Sequence, residues 1–346
     1  MNVKDFLGVE LPIIQAPMAG VQDSALTLAV CEAGGLGSLP CAMLSAVQLQ
    51  TELATIKSHT TLPFNLNFFC HTPPVPDAKR ESQWRKALQP FFEEYDIDAD
   101  KLPPAATRAA FGHETIDLIE SHRPDILSFH FGLPSPELLA RVKGWGATVL
   151  SSATTVEESL WLQANGADGV IAQGLEAGGH RGMFLSDDLT QQLGTFALLP
   201  QIVKVLDVPV IAAGGIADSA GLKAALALGA SAVQMGTVYL LCDETKTSAV
   251  HRSALKSEHA SHTALTNIYS GRPARGIVNR SIRVLGPISS TAPEFPLAAA
   301  AISAIRKEAE AAGSGDFTPL WCGQNASGCE EVSAAVLTRQ LARQVS

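Results

Sequence analysis

The stretch "TVLSSATTVEESLWLQANGADGVIAQG", Thr148 to Gly174, contains a complete strand, helix and strand in succession. Its two ends are short apolar runs, which are typical of buried strands. The segment between them has the spacing of an amphipathic helix and ends in a glycine, as a helix C-cap prefers. This order is the signature of a parallel β/α unit, so the stretch predicts a parallel sheet covered by helices.

The same unit recurs along the whole chain. Eight apolar runs bounded mostly by Gly or Pro alternate with helix-like segments; they are Pro12–Pro17, Gly35–Pro40, Phe64–Phe69, Ile126–Phe131, Thr148–Thr154, Gly169–Gly174, Pro209–Gly215 and Ala232–Thr237. The runs are too uniformly apolar for a sheet with one wet face, which favours a closed (β/α)8 TIM barrel. An open doubly wound sheet stays the alternative, because a sequence does not show closure.

Two segments interrupt this alternation. An insertion at about residues 70–112 follows the third strand and carries Pro clusters around a helical middle. Residues 239–346 follow the eighth strand and have a mostly helical pattern. We predict a barrel at residues 1–238 and a helical lid over its mouth, formed by the insertion and by residues 239–346. With 346 residues the chain is long enough for this arrangement, and two smaller domains are the competing interpretation.

Composition narrows the possible partners and compartments. A formal net charge of −9 offers no basic surface for a phosphate backbone, which argues against nucleic acid. No apolar stretch approaches the roughly 20 residues of a membrane span, and the first ten residues lack a signal-like core. The six cysteines are scattered without a C-x-x-C pair, so neither a metal site nor a disulfide framework is indicated. We expect a cytoplasmic, metal-free enzyme.

Catalytic groups of a barrel lie at the carboxyl ends of its strands. The glycines of "AAGGI", Ala212 to Ile216, and of "AVQMGT", Ala232 to Thr237, expose backbone N–H groups at two adjacent strand ends. Such an edge favours a phosphate site, with a simple tight turn as the alternative. The strand amides of Asn67 and Gln173 fit a flat heterocycle with C=O and N–H edges, or bonds to neighbouring backbone.

Five motifs occur in order along the barrel: "QAPMAG" at Gln15, "AGGLGSL" at Ala33, "GLEAGGHRG" at Gly174, "AAGGI" at Ala212 and "AVQMGT" at Ala232. Together they resemble the nitronate monooxygenase family, once called 2-nitropropane dioxygenases. The similarity continues more weakly through "SGRPARGIVN" and "LWCGQ". It implies an FMN-dependent barrel that oxidises alkyl nitronates such as propionate 3-nitronate with O2, to a carbonyl compound and nitrite.

The resemblance also implies site residues. His180, in "AGGH", is the expected catalytic residue. The expected FMN contacts are Met18, Asn67, Gln173, Gly178, Gly215, Gln234, Met235, Gly236 and Thr237. His180 would hold the nitro oxygens of an anionic nitronate, or remove the α-proton of a neutral nitroalkane as a general base. A solvent-facing loop histidine is the alternative for His180.

Three more residues are candidates for substrate contact. His130, in "SFHFG", would face the substrate or be a core histidine bonded to backbone. Arg272 and Arg275, in "SGRPARG", would clamp an anionic substrate or flavin phosphate, or link the lid to the barrel. Phe295 stands where a tyrosine would not be surprising, which leaves the substrate preference open. A homodimer is one option for the assembly.

Other functions remain possible on the same fold. Flavin-dependent enoyl-ACP reductases and NADH:quinone reductases share the Gly-Gly-His motif, so an FMN-dependent NAD(P)H oxidoreductase is the alternative function. A flavin or phosphometabolite binding protein without turnover is a rival of another class. An aldolase-type barrel is disfavoured, because no lysine stands at a strand end to form a Schiff base.

Overall fold

The computed structural model describes residues 3–102 and 109–343. Its strands, in chain order, are β1 (Ile13–Gln15), β2 (Ser38–Pro40), β3 (Asn65–Phe69), β4 (Ile126–His130), β5 (Thr148–Ala153), β6 (Gly169–Gln173), β7 (Gly179–His180), β8 (Val210–Ala213), β9 (Ala232–Met235), β10 (Thr263–Thr266) and β11 (Ala274–Ile277). Eight of them form one parallel sheet in the order β1-β9-β8-β6-β5-β4-β3-β2.

This sheet closes on itself. A parallel bridge joins Ile14 of β1 to Leu36, just before β2, and so connects the two outer strands. Each of the eight predicted apolar runs contains one strand of the sheet. The (β/α)8 barrel is confirmed, and the open sheet is excluded because both of its edges are joined.

Helices surround the barrel and cover its ends. They are α1 (Val3–Leu7), α2 (Ser24–Glu32), α3 (Ala46–His59), α4 (Ala78–Glu94), α5 (His113–Ile119), α6 (Pro136–Gly144), α7 (Val156–Ala164), α8 (Thr195–Val205), α9 (Ser219–Ala227), α10 (Ala249–Leu255), α11 (Arg280–Leu285), α12 (Ala299–Ala311) and α13 (Ala334–Ala342). Polar side chains cap the amino ends of several of these helices. The side chains of Ser45 and Gln48 form a reciprocal capping box at α3, and Asp218 accepts the N–H of Gly221 at α9.

The last helix belongs to the barrel. Leu337 and Leu341 of α13 lie in the same buried apolar cluster as Leu26 of α2 and Leu222 of α9. The helix therefore takes the outer position between the first and the last β/α unit. At the opposite, amino end of the strands, α1 packs on the barrel interior. The end of the C-terminal region thus completes the ring of helices around the barrel.

The predicted insertion and the C-terminal region meet through α4 and α12. Trp84 and Phe92 of α4 share a buried cluster with Ile302 and Ile305 of α12, and the indole N–H of Trp84 donates to the carbonyl of Ala298 at 3.2 Å. Residues 103–108 of the insertion lie outside the described residues, as do residues 1–2 and 344–346 of the two predicted domains. Among the described residues, no helix has the length and apolar character needed to cross a membrane.

A small antiparallel sheet stands at the mouth of the barrel, in the order β10-β11-β7. In it, His180 pairs with Ala274, and Gly179 pairs with Arg275. The loop after β6 is therefore built into the C-terminal region by backbone hydrogen bonds. This pairing brings the motif "GLEAGGHRG" against "SGRPARG", about a hundred residues further along the chain.

Candidate active site

A cavity lies at the carboxyl ends of the barrel strands. The structure brings together in its walls all of the predicted FMN contacts, together with His180 and His130: Met18, Asn67, Gln173, Gly178, Gly215, Gln234, Met235, Gly236 and Thr237. These residues come from β1, β3, β4, β6, β8 and β9 and from the loops that follow them. Arg272 and Arg275 do not line this cavity.

The edge formed by β8 and β9 presents unpaired polar groups. The backbone N–H groups of Gly215, Gly236 and Thr237 donate to no acceptor among the described residues. The Oε1 atom of Gln234 is buried and likewise has no hydrogen-bond partner there. Because polar groups in protein interiors are nearly always paired, this edge is suited to a ligand that offers both acceptors and donors.

Gly214 and Gly215 shape this edge through their backbone. Their φ angles are +117° and +72°, in the region that favours glycine. A Cβ on Gly214 would also lie 2.9 Å from the hydroxyl oxygen of Thr195. Thr195 begins α8, and its N–H and hydroxyl donate to the Glu176 carboxylate at 2.8 and 2.9 Å. The sequence assigned no role to Glu176. Its carboxylate caps the amino end of α8, although it lies 19 residues earlier in the chain.

The loop after β6 differs, because its polar groups are paired. The Gln173 amide donates to the His180 carbonyl at 2.9 Å and accepts the N–H of Gly182 at 2.7 Å. The fully buried Arg181 guanidinium donates to the carbonyls of Gln173 and Gly174 and to the side chain of Gln192. Burial lowers the pKa of Arg181 to about 10. The Gln173 amide is therefore bonded to nearby backbone, which is one of the two arrangements that the sequence left open for it.

Gly178 and Gly179 serve two different backbone needs. A Cβ on Gly178 would lie 2.6 Å from the Gly323 nitrogen, so its lack of a side chain admits the C-terminal loop. Gly179 has a φ of +71° and open space around it, so its need is conformational. Asn67, on the facing wall, donates through Nδ2 to the hydroxyl of Ser128 at 2.9 Å.

His180 stands at the mouth of the cavity in an aromatic surround. Its Nε2 lies 2.8 Å from the Ser270 hydroxyl oxygen, which orients the ring. Four aromatic rings have their centroids 5.4 to 6.3 Å from the imidazole; they belong to Phe295, Trp321, Phe131 and Phe69. These apolar walls limit the water around the imidazole, so a charge placed beside the ring would be screened less than in solution.

His130 contacts the main chain of the same loop. Its Nε2 lies 3.2 Å from the His180 carbonyl oxygen, and its Nδ1 lies 3.1 Å from the Ser152 hydroxyl oxygen. Desolvation by the surrounding protein lowers the pKa of His130 to about 4, and its bond to the His180 carbonyl only partly offsets this. The ring is therefore neutral at pH 7, with Nε2–H as the donor to the carbonyl.

The two arginines of "SGRPARG" fasten their loop to the barrel. Arg275 donates to the Leu175 carbonyl at 2.9 Å and to the Thr263 hydroxyl at 3.1 Å. Arg272 donates to the Met183 carbonyl, and its guanidinium carbon lies 4.1 Å from the centre of the Phe131 ring. Burial lowers the pKa of both arginines. In this geometry the two arginines link their loop to the barrel, which was the alternative to a clamp on an anion.

Sequence reasoning missed a second cavity, of about 60 Å³, on the other side of His180. Ser270, Trp321 and Arg306 line it, and Arg306 donates through Nε to Glu310 at 2.7 Å. His180 lines this cavity too, so the ion-paired Arg306 and the His180 ring border the same space. The sequence held no signal for Arg306, which is one of several polar residues on α12. Trp321 lies in the quoted motif "LWCGQ" and could have been chosen.

His251 is a further residue that the sequence did not single out. It lines the main cavity, is buried, and has its Nε2 3.1 Å from the Trp321 carbonyl oxygen. Burial lowers its pKa to about 4. Within residues 3–102 and 109–343, no group of three His, Cys, Asp or Glu side chains is placed to hold a metal ion.

Comparison with known proteins identifies the family. A family model described as nitronate monooxygenase matches residues 1–344. This chain belongs to the nitronate monooxygenase family. Proteins named nitronate monooxygenase from Paraburkholderia phytofirmans and Pseudomonas aeruginosa are 43% and 41% identical to it. Each alignment covers 98% of this chain, and 93% and 97% of those proteins respectively.

Solved structures agree with this membership of the nitronate monooxygenase family. A nitroalkane oxidase from Streptomyces ansochromogenes superposes with a TM-score of 0.89 at 36% sequence identity, over 98% of this chain and 96% of that one. The family is flavin-dependent in general, and the chain is an oxidoreductase. The unpaired polar groups at the ends of β8 and β9 face the main cavity of this oxidoreductase.

Proposed function

We propose that this enzyme binds FMN in the main cavity and oxidises alkyl nitronates with O2 to a carbonyl compound and nitrite. The observation that carries the cofactor assignment is the unpaired edge of β8 and β9. The N–H groups of Gly215, Gly236 and Thr237 would hold the FMN phosphate, and Gln234 would bond to a polar edge of the ligand. A bound FMN would pair these groups, so the residues present fit it.

FMN, when bound, supplies the electron-transfer chemistry that neither amino-acid side chains nor backbone provide. The chain itself positions the substrate. The His180 imidazole would donate a hydrogen bond to a nitronate oxygen, held in place by the Ser270 hydroxyl. For a neutral nitroalkane, the unprotonated ring would accept the α-proton instead.

The smaller cavity supports a substrate with an acidic tail. Propionate 3-nitronate carries a carboxylate at the end away from its nitronate group. Arg306 stands in the second cavity next to His180, so its guanidinium would meet that carboxylate while His180 meets the nitronate. A nitronate of matching length that bears an acid is therefore the substrate class that we expect to bind best.

The decisive experiment is anaerobic mixing of the FMN-loaded enzyme with each electron donor. Propionate 3-nitronate should bleach the flavin absorbance rapidly, and NADH should not. The opposite pattern would support the alternative, an FMN-dependent NAD(P)H oxidoreductase. If the protein consumes no oxygen with any nitronate, the interpretation that remains is a binding protein without turnover.

A matched pair of variants tests the role of His180. His180→Asn should lower kcat/KM for the nitronate by about 100-fold or more, because the variant lacks the imidazole at the reacting group. Its FMN content should stay unchanged, since His180 is not part of the β8–β9 edge. His113→Asn, at an exposed histidine that begins α5, is the control and should keep full activity.

Other expectations from the sequence stay predictions. They are the division into a barrel at residues 1–238 and a lid region at residues 239–346, the homodimer and the cytoplasmic location. The shared cluster of α4 and α12 supports a lid formed by two distant segments.

A further inference from the structure

We propose that His130 is a positioning residue, which holds the His180 loop by its main chain in a slot formed by Ser152 and Gly182. This proposal rests on the proposed function, in which His180 meets the substrate. His130 itself would not touch the reacting atoms. It would act through the carbonyl of His180.

The first argument is that two donors converge on one carbonyl. The His180 oxygen accepts from Gln173 Nε2 at 2.9 Å and from His130 Nε2 at 3.2 Å. Gln173 and His130 end β6 and β4, two rigid strands of the barrel. A carbonyl held from two strands fixes the peptide plane that carries the His180 side chain. We call this pair of donors the carbonyl clamp.

The second argument is the slot around the His130 ring. A Cβ on Gly182 would lie 2.9 Å from His130 Cε1 and 2.9 Å from the Ser152 Cβ. The last glycine of "GGHRG" is thus required by the approach of His130. On the other side, Nδ1 lies 3.1 Å from the Ser152 hydroxyl oxygen. Because the His180 carbonyl can only accept, Nε2 carries the ring proton, and Nδ1 of the neutral ring accepts from the Ser152 hydroxyl.

The third argument is that the loop needs such a support. β7 is only two residues long, and within the described residues it pairs with β11 on one side. The clamp holds the opposite side of His180. Because a displacement of about 1 Å in a catalytic group costs on the order of 100-fold in rate, loss of the clamp should reduce turnover.

The test compares two substitutions of one residue. His130→Gln keeps an N–H donor near the position of Nε2, and His130→Leu removes it. His130→Leu should lower kcat by about 10- to 100-fold with KM changed less than about threefold, and His130→Gln should recover kcat to within about threefold of the parent. Tyr239→Phe is the matched control, since it removes another buried hydrogen bond, the one to Thr338.

A second readout does not depend on turnover. The imidazole resonances of His180 in labelled protein, assigned by their absence in His180→Asn, should shift in His130→Leu and return toward the parent values in His130→Gln. Unmoved resonances in His130→Leu would overturn the proposal, as would equal losses of activity in both variants. Should His130→Leu fail to fold, Ser152→Ala and Gly182→Ala must reproduce the shift for the proposal to stand.

The two proposals can fail separately. If the parent enzyme does not oxidise nitronates, the proposed function fails, and the His180 resonances still report whether His130 sets the position of the ring. If nitronates are oxidised and His130→Leu is as active as Tyr239→Phe, the proposed function stands and the carbonyl clamp is rejected.

Discussion

Two sides of one cavity differ in how their polar groups are paired. On the β8–β9 side, three backbone N–H groups and the Gln234 oxygen have no partner among the described residues. On the β6 side, the amide of Gln173 and the guanidinium of Arg181 are satisfied by the protein itself. Both sides line the same space, at the carboxyl ends of neighbouring strands.

The difference separates binding from positioning. Unpaired groups that face a cavity gain their full hydrogen-bond energy only when a ligand arrives, so they favour binding. Groups that the protein already pairs gain nothing from the ligand, and instead hold a loop in one conformation. We therefore expect substitutions on the first side to change FMN affinity, and substitutions on the second side to change stability and turnover.

Acid should produce the largest change in the free energy of unfolding. Two buried histidines are responsible, and one of them, His130, lies on the β6 side of the cavity, where the polar groups are paired. His130 and His251 both have a pKa near 4 in the folded state, against about 6.5 in an unfolded chain. As the pH falls from 6.5 toward 4, the unfolded chain takes up these protons and the folded protein does not. The stability contributed by the two neutral rings is therefore complete above pH 6.5 and is lost toward pH 4.

At pH 5 this loss should reach about 2 kcal/mol for each of the two histidines. Urea unfolding of the FMN-free protein at pH 7.5 and pH 5 measures it. The double variant His130→Gln, His251→Gln should lose much less stability over this interval. A parent protein whose free energy of unfolding is equal at both values would contradict the prediction.

Gln173→Met should show the next largest effect. The substitution keeps the side-chain volume and removes one donor and one acceptor, so the buried N–H of Gly182 loses its partner. We expect a loss of about 2 to 3 kcal/mol in the free energy of unfolding, measured with urea in the FMN-free protein. An unchanged stability would show that this side of the cavity is not held by its hydrogen bonds.

Gln234→Met is the matched substitution on the unpaired side. It should lower the affinity for FMN about tenfold, as expected for the loss of one hydrogen bond, in a titration followed by flavin fluorescence. The FMN-free protein should lose no stability, because the buried oxygen that disappears had no partner. If Gln234→Met destabilises the protein as much as Gln173→Met does, the two sides do not differ as we propose.

Arg306→Met should have the smallest effect, and it concerns the substrate alone. KM for propionate 3-nitronate should rise about three- to tenfold, and KM for ethyl nitronate, which has no carboxylate, should stay unchanged. Lys307→Met is the control, because the neighbouring Lys307 side chain is 83% exposed and lies outside both cavities. Equal changes for both substrates would exclude a contact between Arg306 and the carboxylate.

The barrel and the β8–β9 edge could be predicted because their signals are local. The spacing of apolar residues within one short segment predicts whether that segment is a strand or a helix. Gly214 and Gly215 follow a strand with backbone angles that disfavour other residues, so the glycines themselves report the geometry. These signals need no knowledge of what lies across the cavity.

The orientation of long side chains could not be predicted in the same way. Arg272 and Arg275 have the charge of an anion site, yet they donate to Met183, Leu175 and Thr263 in the fold. Arg306 has the pattern of a solvated helix residue and borders the cavity next to His180. A side chain with several rotatable bonds takes its direction from the packing around it, which periodicity does not encode.

The sequence by itself determined the eightfold repeat of strand and helix, the glycines at two adjacent strand ends, and the presence of a histidine in "AGGH". Only the tertiary structure decided which polar groups are paired. His180 meets Ser270 from 90 residues further along the chain and His130 from 50 residues before it. His130 bonds to a backbone carbonyl, and every peptide unit offers the same oxygen whatever its side chain. The sequence therefore does not mark this partner, and only the fold selects it.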